Sequence, residues 1–564
     1  MRKVFTHCRK RLGTSFGRMR SGVLCLALAL AVTGCAAGGN TTQTPAAGAD
    51  DEAQQGLAGQ EVSMTAYPEI TKEIIEAHRT ELPRVTVHDP TIFQDRDGKY
   101  YIVGTHITSA RSDDLIRWEQ TDETFRSALD AETMKQIRAY NDDFKAGSPV
   151  GYLWAPDMIY NETMGKYCIY LSANGDHWQS NIVLLTGDHP EGPFTYAGSV
   201  VYGGFTEDNW TETDVAQVLG LDTGADTLPQ RYILNGVKND HWGDKFPNCI
   251  DPCAFFDEEG RLWMSYGSWS GGIFLLRLDT STGLRDLSVE YPTEKHSDAY
   301  FGTLIAGGSY VTGEGSFIKY MNGYYWLFLS YGELQARGGY NIRIFRAEHP
   351  EGPYIDERGN GTFYDSYVQN VNFPTGERLF SAYRWDTDGD GMVSQGHNSV
   401  LADRDGRFYI VYHTRTTNGT EYHYVRIHQL FFNKNGWPVA APYRTTGERL
   451  PDKGLDPARI AGTYDVILHR TDPDYEHQEL GEPQLLTLHA DGTVDGAFAG
   501  TWQAEAGTPY ITLDLTAANE KESDVYAGVA LEMTIDDTDL ETAVFTALGE
   551  KRQLTLWGSK RSEK

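Results

Sequence analysis

Residues 87–105, VHDPTIFQDRDGKYYIVGT, constrain the chain more than any other stretch, because the same pattern recurs four more times. It opens on Asp89, which is followed by a proline and a short apolar run. A turn at Gly98 then leads into a second run of aromatic and β-branched residues. Such a unit is two antiparallel strands joined by a tight turn. The copies open at Asp157 (DMIYNETMGKYCIYLS), Asp251 (DPCAFFDEEGRLWMSYGS), Glu314 (EGSFIKYMNGYYWLFLSYG) and His397 (HNSVLADRDGRFYIVYHT). Eight or nine residues after each opening comes a glycine: Gly98, Gly165, Gly260, Gly323 and Gly406. The openings lie 68, 94, 63 and 83 residues apart, which leaves room for further strands in each unit. Strand-like runs at 181–185, 231–234, 272–278 and 341–346 fill part of it, and HPEGPF (189–194) and HPEGPY (349–354) follow the second and fourth hairpins. Five units of four strands predict an all-β chain whose residues 67–450 form a five-bladed β-propeller. A short helix is expected at 67–79. The largest insertion, 203–245, carries Trp210 and Trp242.

The composition changes near residues 450–458, LPDKGLDPA. Beyond it, alternating runs of five to eight residues, separated by DG and LG turns, predict a separate small β-barrel or sandwich over 458–564. The start of the chain reads as targeting. Seven basic and no acidic residues precede the apolar run 23–32, and Val32-Thr33-Gly34-Cys35 has the form of a bacterial lipobox. Residues 1–35 are therefore read as a lipoprotein signal with the lipid on Cys35. An ordinary secretory signal cut after Ala36 is the alternative. Residues 36–66, small, polar and acidic, read as a flexible tether. Removing residues 1–34 takes the formal charge from −30 to −37, an acidity that argues against nucleic acid or other polyanions as partners. Cys249 and Cys253 would lie about 13 Å apart on an extended segment, too far for a disulfide, and both read as small packed hydrophobes.

In a propeller, the innermost strand of each blade lines the axis. The five openings therefore predict Asp89, Asp157, Asp251, Glu314 and His397 on one ring at the mouth of one funnel. Singly, an Asp-Pro or Glu-Gly is an ordinary turn. Together, crowded carboxylates repel unless their pKa values separate or a cation intervenes. A carboxyl kept protonated beside one kept ionised is the equipment of glycoside hydrolysis. Trp154 stands in the same funnel wall, where an aromatic face suits a sugar ring and a core role is as reasonable.

The motifs VHDPTI, LWAPDM, CIDPCAF, TGEGSF and GHNSV, in this order, resemble glycoside hydrolase family 43, and most closely its arabinanase branch, which cleaves α-1,5-linked L-arabinan. The resemblance covers about 84–445, and the β-domain after it is similar to the accessory domain of larger arabinanases. It implies that Asp89 is the general base, Glu314 the general acid, and Asp251 the carboxylate that positions the acid and raises its pKa, with inversion at the anomeric carbon. It implies substrate contacts from Trp154, Asp157, Ser268 and Trp269, and a metal, usually calcium, at His397. The loop Asp386-Thr387-Asp388-Gly389-Asp390-Gly391 looks like half a calcium loop. His397 stands at its twelfth position where an EF-hand needs glutamate, so the reading there is a solvated turn or an Asp-rich loop near the metal. The expected protein is a monomeric, extracellular, lipid-anchored endo-α-1,5-L-arabinanase that touches the membrane only through its lipid. Exo-acting arabinanase, arabinofuranosidase and xylosidase activities stay open, as does a non-catalytic sugar-binding lipoprotein. Retaining fructan-acting propellers are disfavoured, because their Asn-Asp-Pro-Asn and Glu-Cys motifs are absent.

Overall fold

The computed structural model describes residues 67–562 except 81, 142–151, 176–177, 235–240, 309, 312, 365–374, 471–478 and 519. The lipobox Cys35 and the tether at 36–66 lie outside the described residues. Each of the five repeated hairpins becomes the inner pair of one antiparallel sheet. The first blade is β1 (Thr91–Gln94), β2 (Tyr100–Gly104), β3 (Thr108–Ser112) and β4 (Glu119–Gln120). The second is β5 (Leu153–Asn161), β6 (Lys166–Asn174), β7 (Ser180–Gly187) and β8 (Phe194–Gly203). The third has five strands: β9 (Cys253–Phe256), β10 (Leu262–Ser268), β11 (Gly272–Leu278), β12 (Ser297–Asp298) and β13 (Gly302–Ala306), the last inserted between β11 and β12. The fourth is β14 (Glu314–Met321), β15 (Tyr324–Tyr331), β16 (Asn341–Ala347) and β17 (Glu377–Arg378), and the fifth is β18 (Met392–Ala402), β19 (Phe408–Thr416), β20 (Tyr424–Phe432) and β21 (Pro438–Ala440). The inner strands β1, β5, β9, β14 and β18 neighbour one another in sequence order, and β18 meets β1 to close the ring.

Closure uses the stretch before the first blade. Val87 N–H donates to His423 O at 3.0 Å and Val425 N–H to Val85 O at 3.1 Å, so this segment runs antiparallel to the start of β20. Val85, Val87, Ile92 and Ile102 then share one apolar cluster with Tyr409, Val411 and Ile427 of the fifth blade.

Two expectations need correction. The run at 231–234 is not a strand: residues Gln230–Tyr232 form a 3-10 turn inside the insertion, whose described parts are short helical turns. Trp210 and Trp242 are buried there in the core, among Phe205, Phe246, Tyr300 and Phe301. The expected helix at 67–79 is shorter, Lys72–Ala77, with Thr71 as its N-cap.

The C-terminal strands β22 (Gly462–Leu468), β23 (Gln484–Leu488), β24 (Thr493–Gly496), β25 (Phe498–Ala504), β26 (Tyr510–Ala517), β27 (Asp524–Thr534), β28 (Glu541–Gly549) and β29 (Thr555–Ser562) form a closed eight-stranded barrel. It is a separate sheet with an apolar cluster of its own, which includes Tyr464, Leu486, Leu513 and Phe545, and it also shares a core with the propeller. Trp326, Trp385, Tyr412 and Trp437 of the propeller pack in one cluster with Val529, Leu531 and Trp557 of the barrel, and Trp557 Nε1 donates to Ala440 O at 2.9 Å. At this junction Arg426 Nη1 pairs with Asp536 Oδ2 at 2.9 Å, with both side chains almost fully buried. Burial works to raise the Asp536 carboxyl, but Arg426 and Arg444 hold it down to about 2. The Asp386 loop lies here too. Asp388 accepts the Trp385 N–H at 3.2 Å, and burial pushes its carboxyl up to about 6.

A buried pair is expensive to break from one side and cheap to replace as a unit. Asp536→Ala should cost about 3–5 kcal/mol and lower the unfolding temperature markedly. Arg426→Met with Asp536→Leu should recover most of that loss. Thermal unfolding of the three proteins checks this, and an unchanged transition in Asp536→Ala would count against the junction.

Candidate active site

Each inner strand begins with the same backbone kink. Asp89, Ala155, Asp251, Gly315 and His397 all have positive φ (54°, 40°, 56°, 60° and 47°), and each stands two residues before the point where pairing with the second strand is regular. This conformation costs a non-glycine residue on the order of 1 kcal/mol or more, least for aspartate. It persists because every kinked N–H is captured by the preceding blade. Asp89 N–H donates to His413 Nδ1 (3.2 Å), Ala155 N–H to Thr105 Oγ1 (2.8 Å) and Asp251 N–H to Ser172 Oγ (3.0 Å). Gly315 N–H donates to Asp251 Oδ2 (3.3 Å) and His397 N–H to Ser330 Oγ (2.8 Å).

The predicted ring is therefore real but differently occupied. Asp89, Asp251 and His397 sit at the kink. Glu314 stands one residue earlier, in register with His88 and Trp154. Asp157 stands two residues later, where its carboxylate is taken up by bonds to neighbouring strands. It is buried, with Thr91 Oγ1 (2.6 Å) and Met158 N–H (2.9 Å) donating to Oδ1 and Ala254 N–H (2.7 Å) to Oδ2. It belongs to a second layer of ties between blades, with Ser399 accepting from Ile92 N–H (3.0 Å) and Cys253 Sγ from Ile318 N–H (3.3 Å). Cys168, Cys249 and Cys253 are free and buried, as their spacing predicts.

Three carboxylates and one imidazole share the funnel. Asp89 Oδ1 lies 3.1 Å from His397 Nδ1 and 3.2 Å from His88 Nε2, while Thr105 Oγ1 donates to Oδ2 at 2.5 Å. Burial would raise this carboxyl, but His397, His88 and Thr105 together hold it below the usual range. Its side chain remains 11% exposed, so water can reach it. Glu314 has the opposite balance. Burial, aided by the charge of Asp89, raises its carboxyl above the ordinary value against His397, Tyr340 and Trp269, which work the other way. Asp251 is pushed up to about 7 by burial and by the charges of Glu314 and Asp89, against the pull of His397. His397 is raised despite its burial, because Asp89, Asp251 and Glu314 all face it.

The predicted contact residues divide. Trp269 Nε1 donates to Glu314 Oε2 at 2.8 Å and Ser268 Oγ approaches the same oxygen at 3.4 Å, so both hold a carboxyl group of the site. Trp154 is half-buried. Four residues that the motifs did not single out complete the site: His88, Thr105, Tyr340 and His413. His88 adjoins Asp89 in VHDP and was open to detection, whereas Tyr340 begins a third strand with no motif. Tyr340 OH donates to Glu314 Oε1 at 2.9 Å. It reaches there because residue 396 is glycine: a Cβ at Gly396 would lie 2.0 Å from the Tyr340 ring.

The calcium expected at His397 meets a mixed environment. The excess of carboxylates over imidazole favours a cation. Calcium takes six to eight oxygen ligands, however, and among the described residues no group of three or more ligating side chains that includes His397 converges on one point. His397 would be the residue to hold such an ion, whose charge would offset that of Asp89, Asp251 and Glu314 around it.

The sequence profile of glycosyl hydrolases family 43 matches residues 83–213 and 238–438, and a C-terminal lipocalin-like domain profile matches 442–558. The chain is 34% identical over 502 residues to extracellular endo-α-(1→5)-L-arabinanase 2 of Bacillus subtilis, covering 86% of this chain and 95% of that one. It is 32% identical over 526 residues to the extracellular endo-α-(1→5)-L-arabinanase of Thermotoga petrophila, covering 89% and 98%. Among solved structures, the family 43 YxiA protein of Bacillus licheniformis aligns with TM-score 0.69 and 31% identity over 86% of this chain and 99% of that one. The Thermotoga petrophila endo-1,5-α-L-arabinanase aligns with TM-score 0.68 and 30% identity over 86% and 100%. A five-bladed propeller with this triad, matched by the family profile over most of its length, makes the chain a member of glycosyl hydrolase family 43.

Proposed function

We propose that the protein is an endo-acting, inverting hydrolase of α-1,5-linked L-arabinan. The observation that carries the reading is the split between two carboxyl groups of one funnel: Asp89 is held ionised and Glu314 is held towards its protonated form. The names of the relatives above support the substrate and the internal mode of cleavage. Asp89 takes a proton from water, whose oxygen attacks the anomeric carbon. Glu314 gives its proton to the glycosidic oxygen as that C–O bond breaks, and the freed sugar hydroxyl leaves. One water is consumed and the configuration inverts. Asp251 acts on the acid rather than on the sugar. It accepts the N–H of Gly315, next to Glu314, and the repulsion between the two carboxyl groups opposes ionising both at once. Trp154, half-buried in register with Glu314, is retained as a sugar contact. A calcium ion at His397 would offset the surplus negative charge, with His397 as its protein ligand.

The relatives named extracellular support action outside the cell. Lipid attachment at Cys35 and a monomeric state complete the proposal. Detergent-phase partition that Cys35→Ser abolishes is the readout for the lipid.

Purified protein on linear arabinan should release oligomers of mixed length early, with monomer accumulating late. Monomer alone from the start would favour the exo-acting alternative, and no cleavage would favour a binding protein. Glu314→Ala should lower arabinan turnover about 10²–10⁴-fold while sparing much of the rate on an aryl arabinoside, whose leaving group needs no proton.

The Tyr340 hydroxyl stabilises the charged form of Glu314, so removing it raises the acid's pKa further. In Tyr340→Phe, the high-pH limb of kcat/KM should therefore move to higher pH. The low-pH limb, which reports Asp89, should stay in place. A shift of both limbs together, or of neither, would contradict the assignment of the acid.

A further inference from the structure

Beside the carboxylates lies a second cluster that the hydrolysis does not use as acid, base or sugar contact. His88, His413 and His423 each bring one ring nitrogen to within 4.8 Å of the others. The rings of His88 and His423 stack with centroids 3.8 Å apart, and His413 stands edge-on to both at 5.1 and 5.0 Å. Three separate elements converge to make this group. His88 precedes the kinked Asp89, His413 projects from β19, and His423 ends the loop between β19 and β20, tied down by the Val87 N–H.

The ligating form of histidine is the neutral ring. Burial, the largest influence on each, lowers His88 to about 4 and His423 to about 3, and puts His413 well below its ordinary value. Binding capacity is left over. His413 is fully buried, and its Nε2 has no hydrogen-bond partner among the described residues; ligating through Nε2 moves the ring proton to Nδ1 and gives up the bond from the Asp89 N–H. His423 Nε2 accepts from Arg415 Nη2 at 2.7 Å, and Arg415 is also paired with Glu421, which can keep it when His423 turns away.

We propose that His88, His413 and His423 form a binding site for a divalent transition-metal cation of the zinc class, and that an ion bound there inhibits the enzyme by engaging Asp89. Three imidazoles are a donor set for zinc, nickel or copper(II), whereas calcium takes oxygen. Three tetrahedral ligands at zinc–nitrogen distances of about 2.0–2.1 Å stand roughly 3.4 Å apart, and these nitrogens all lie within 4.8 Å of one another, so modest ring movements bring them onto one ion. Asp89 Oδ1 stands 3.2 Å from His88 Nε2 and 3.7 Å from His413 Nδ1. An ion held by these rings takes up that carboxylate as a further ligand, and the lone pair that would accept water's proton is then occupied. Its all-nitrogen donor set differs from the oxygen ligands that calcium at His397 would need.

The test is direct binding, independent of turnover. Full-length protein without a polyhistidine tag is freed of metal with a chelator and titrated with cobalt(II) chloride, following the visible spectrum, and then with zinc chloride. The expected result is one saturable cobalt site per chain with the intense absorption of four-coordinate cobalt, lost on addition of zinc. His423→Ala and the more conservative His423→Gln should abolish the spectrum, with calorimetric unfolding confirming that each is folded, and His397→Ala should retain it. Arabinan cleavage by the wild-type protein should fall at least tenfold at saturating zinc and return with chelator. A spectrum that survives both His423 substitutions overturns the proposal. So does one lost in His397→Ala but not in His423→Gln, or the absence of any saturable site.

Discussion

The innermost strand of a propeller blade is a sheet edge, and its outward N–H groups have no strand to bond to. Unpaired edges invite the wrong partner and leave buried donors unsatisfied. Here the problem is met by side chains of the preceding blade. Thr105, Ser172, Asp251, Ser330 and His413 each accept the N–H of the next blade's kinked residue, and Ser399, Asp157 and Cys253 do the same one layer further in. The five blades are locked in angular register through their own active-site rim. The kinks that this bonding stabilises are what turn Asp89, Asp251 and His397 towards a common axis. Scaffold and site are thus built from the same hydrogen bonds, and Asp251 and His413 serve both.

Charge is the second constraint. Three carboxyl groups in one recess cannot all ionise at low cost, and the surroundings decide which does. Asp89 has two imidazoles and a threonine hydroxyl around it. Glu314 has mainly neutral donors, Tyr340 and Trp269, and the charge of Asp89 to resist. The same burial that raises all three therefore leaves one low and two high. The opposite shifts of Asp89 and Glu314 follow from unequal neighbours, not from the difference between Asp and Glu.

Much of this was legible in the sequence. Hairpins with a glycine turn at a constant offset identified the blades, and residues opening those hairpins marked the rim. What escaped was a matter of one or two residues, or of distance. A kink opens every blade, with a bulge in β5, β14 and β18; Glu314 stands one place before it and Asp157 two places after, and two places move a carboxylate from the funnel into the layer between blades. Runs of apolar residues cannot reveal that 231–234 would be a turn packed on Tyr300 and Phe301. The contact of Tyr340 with Glu314 depends on a missing side chain at Gly396, in another blade. The shared core of propeller and barrel rests on Trp557 meeting Ala440, a pairing with no local signature.

The account turns on Asp89 acting on water rather than on sugar. Proton NMR of the reducing ends released from α-linked arabino-oligosaccharide, followed from the first seconds before mutarotation, tests that most directly. The account predicts that β-configured ends appear first and decay to the equilibrium mixture. α-Configured ends appearing first would mean a covalent intermediate on the enzyme, and would contradict the assignment of Asp89 as the base.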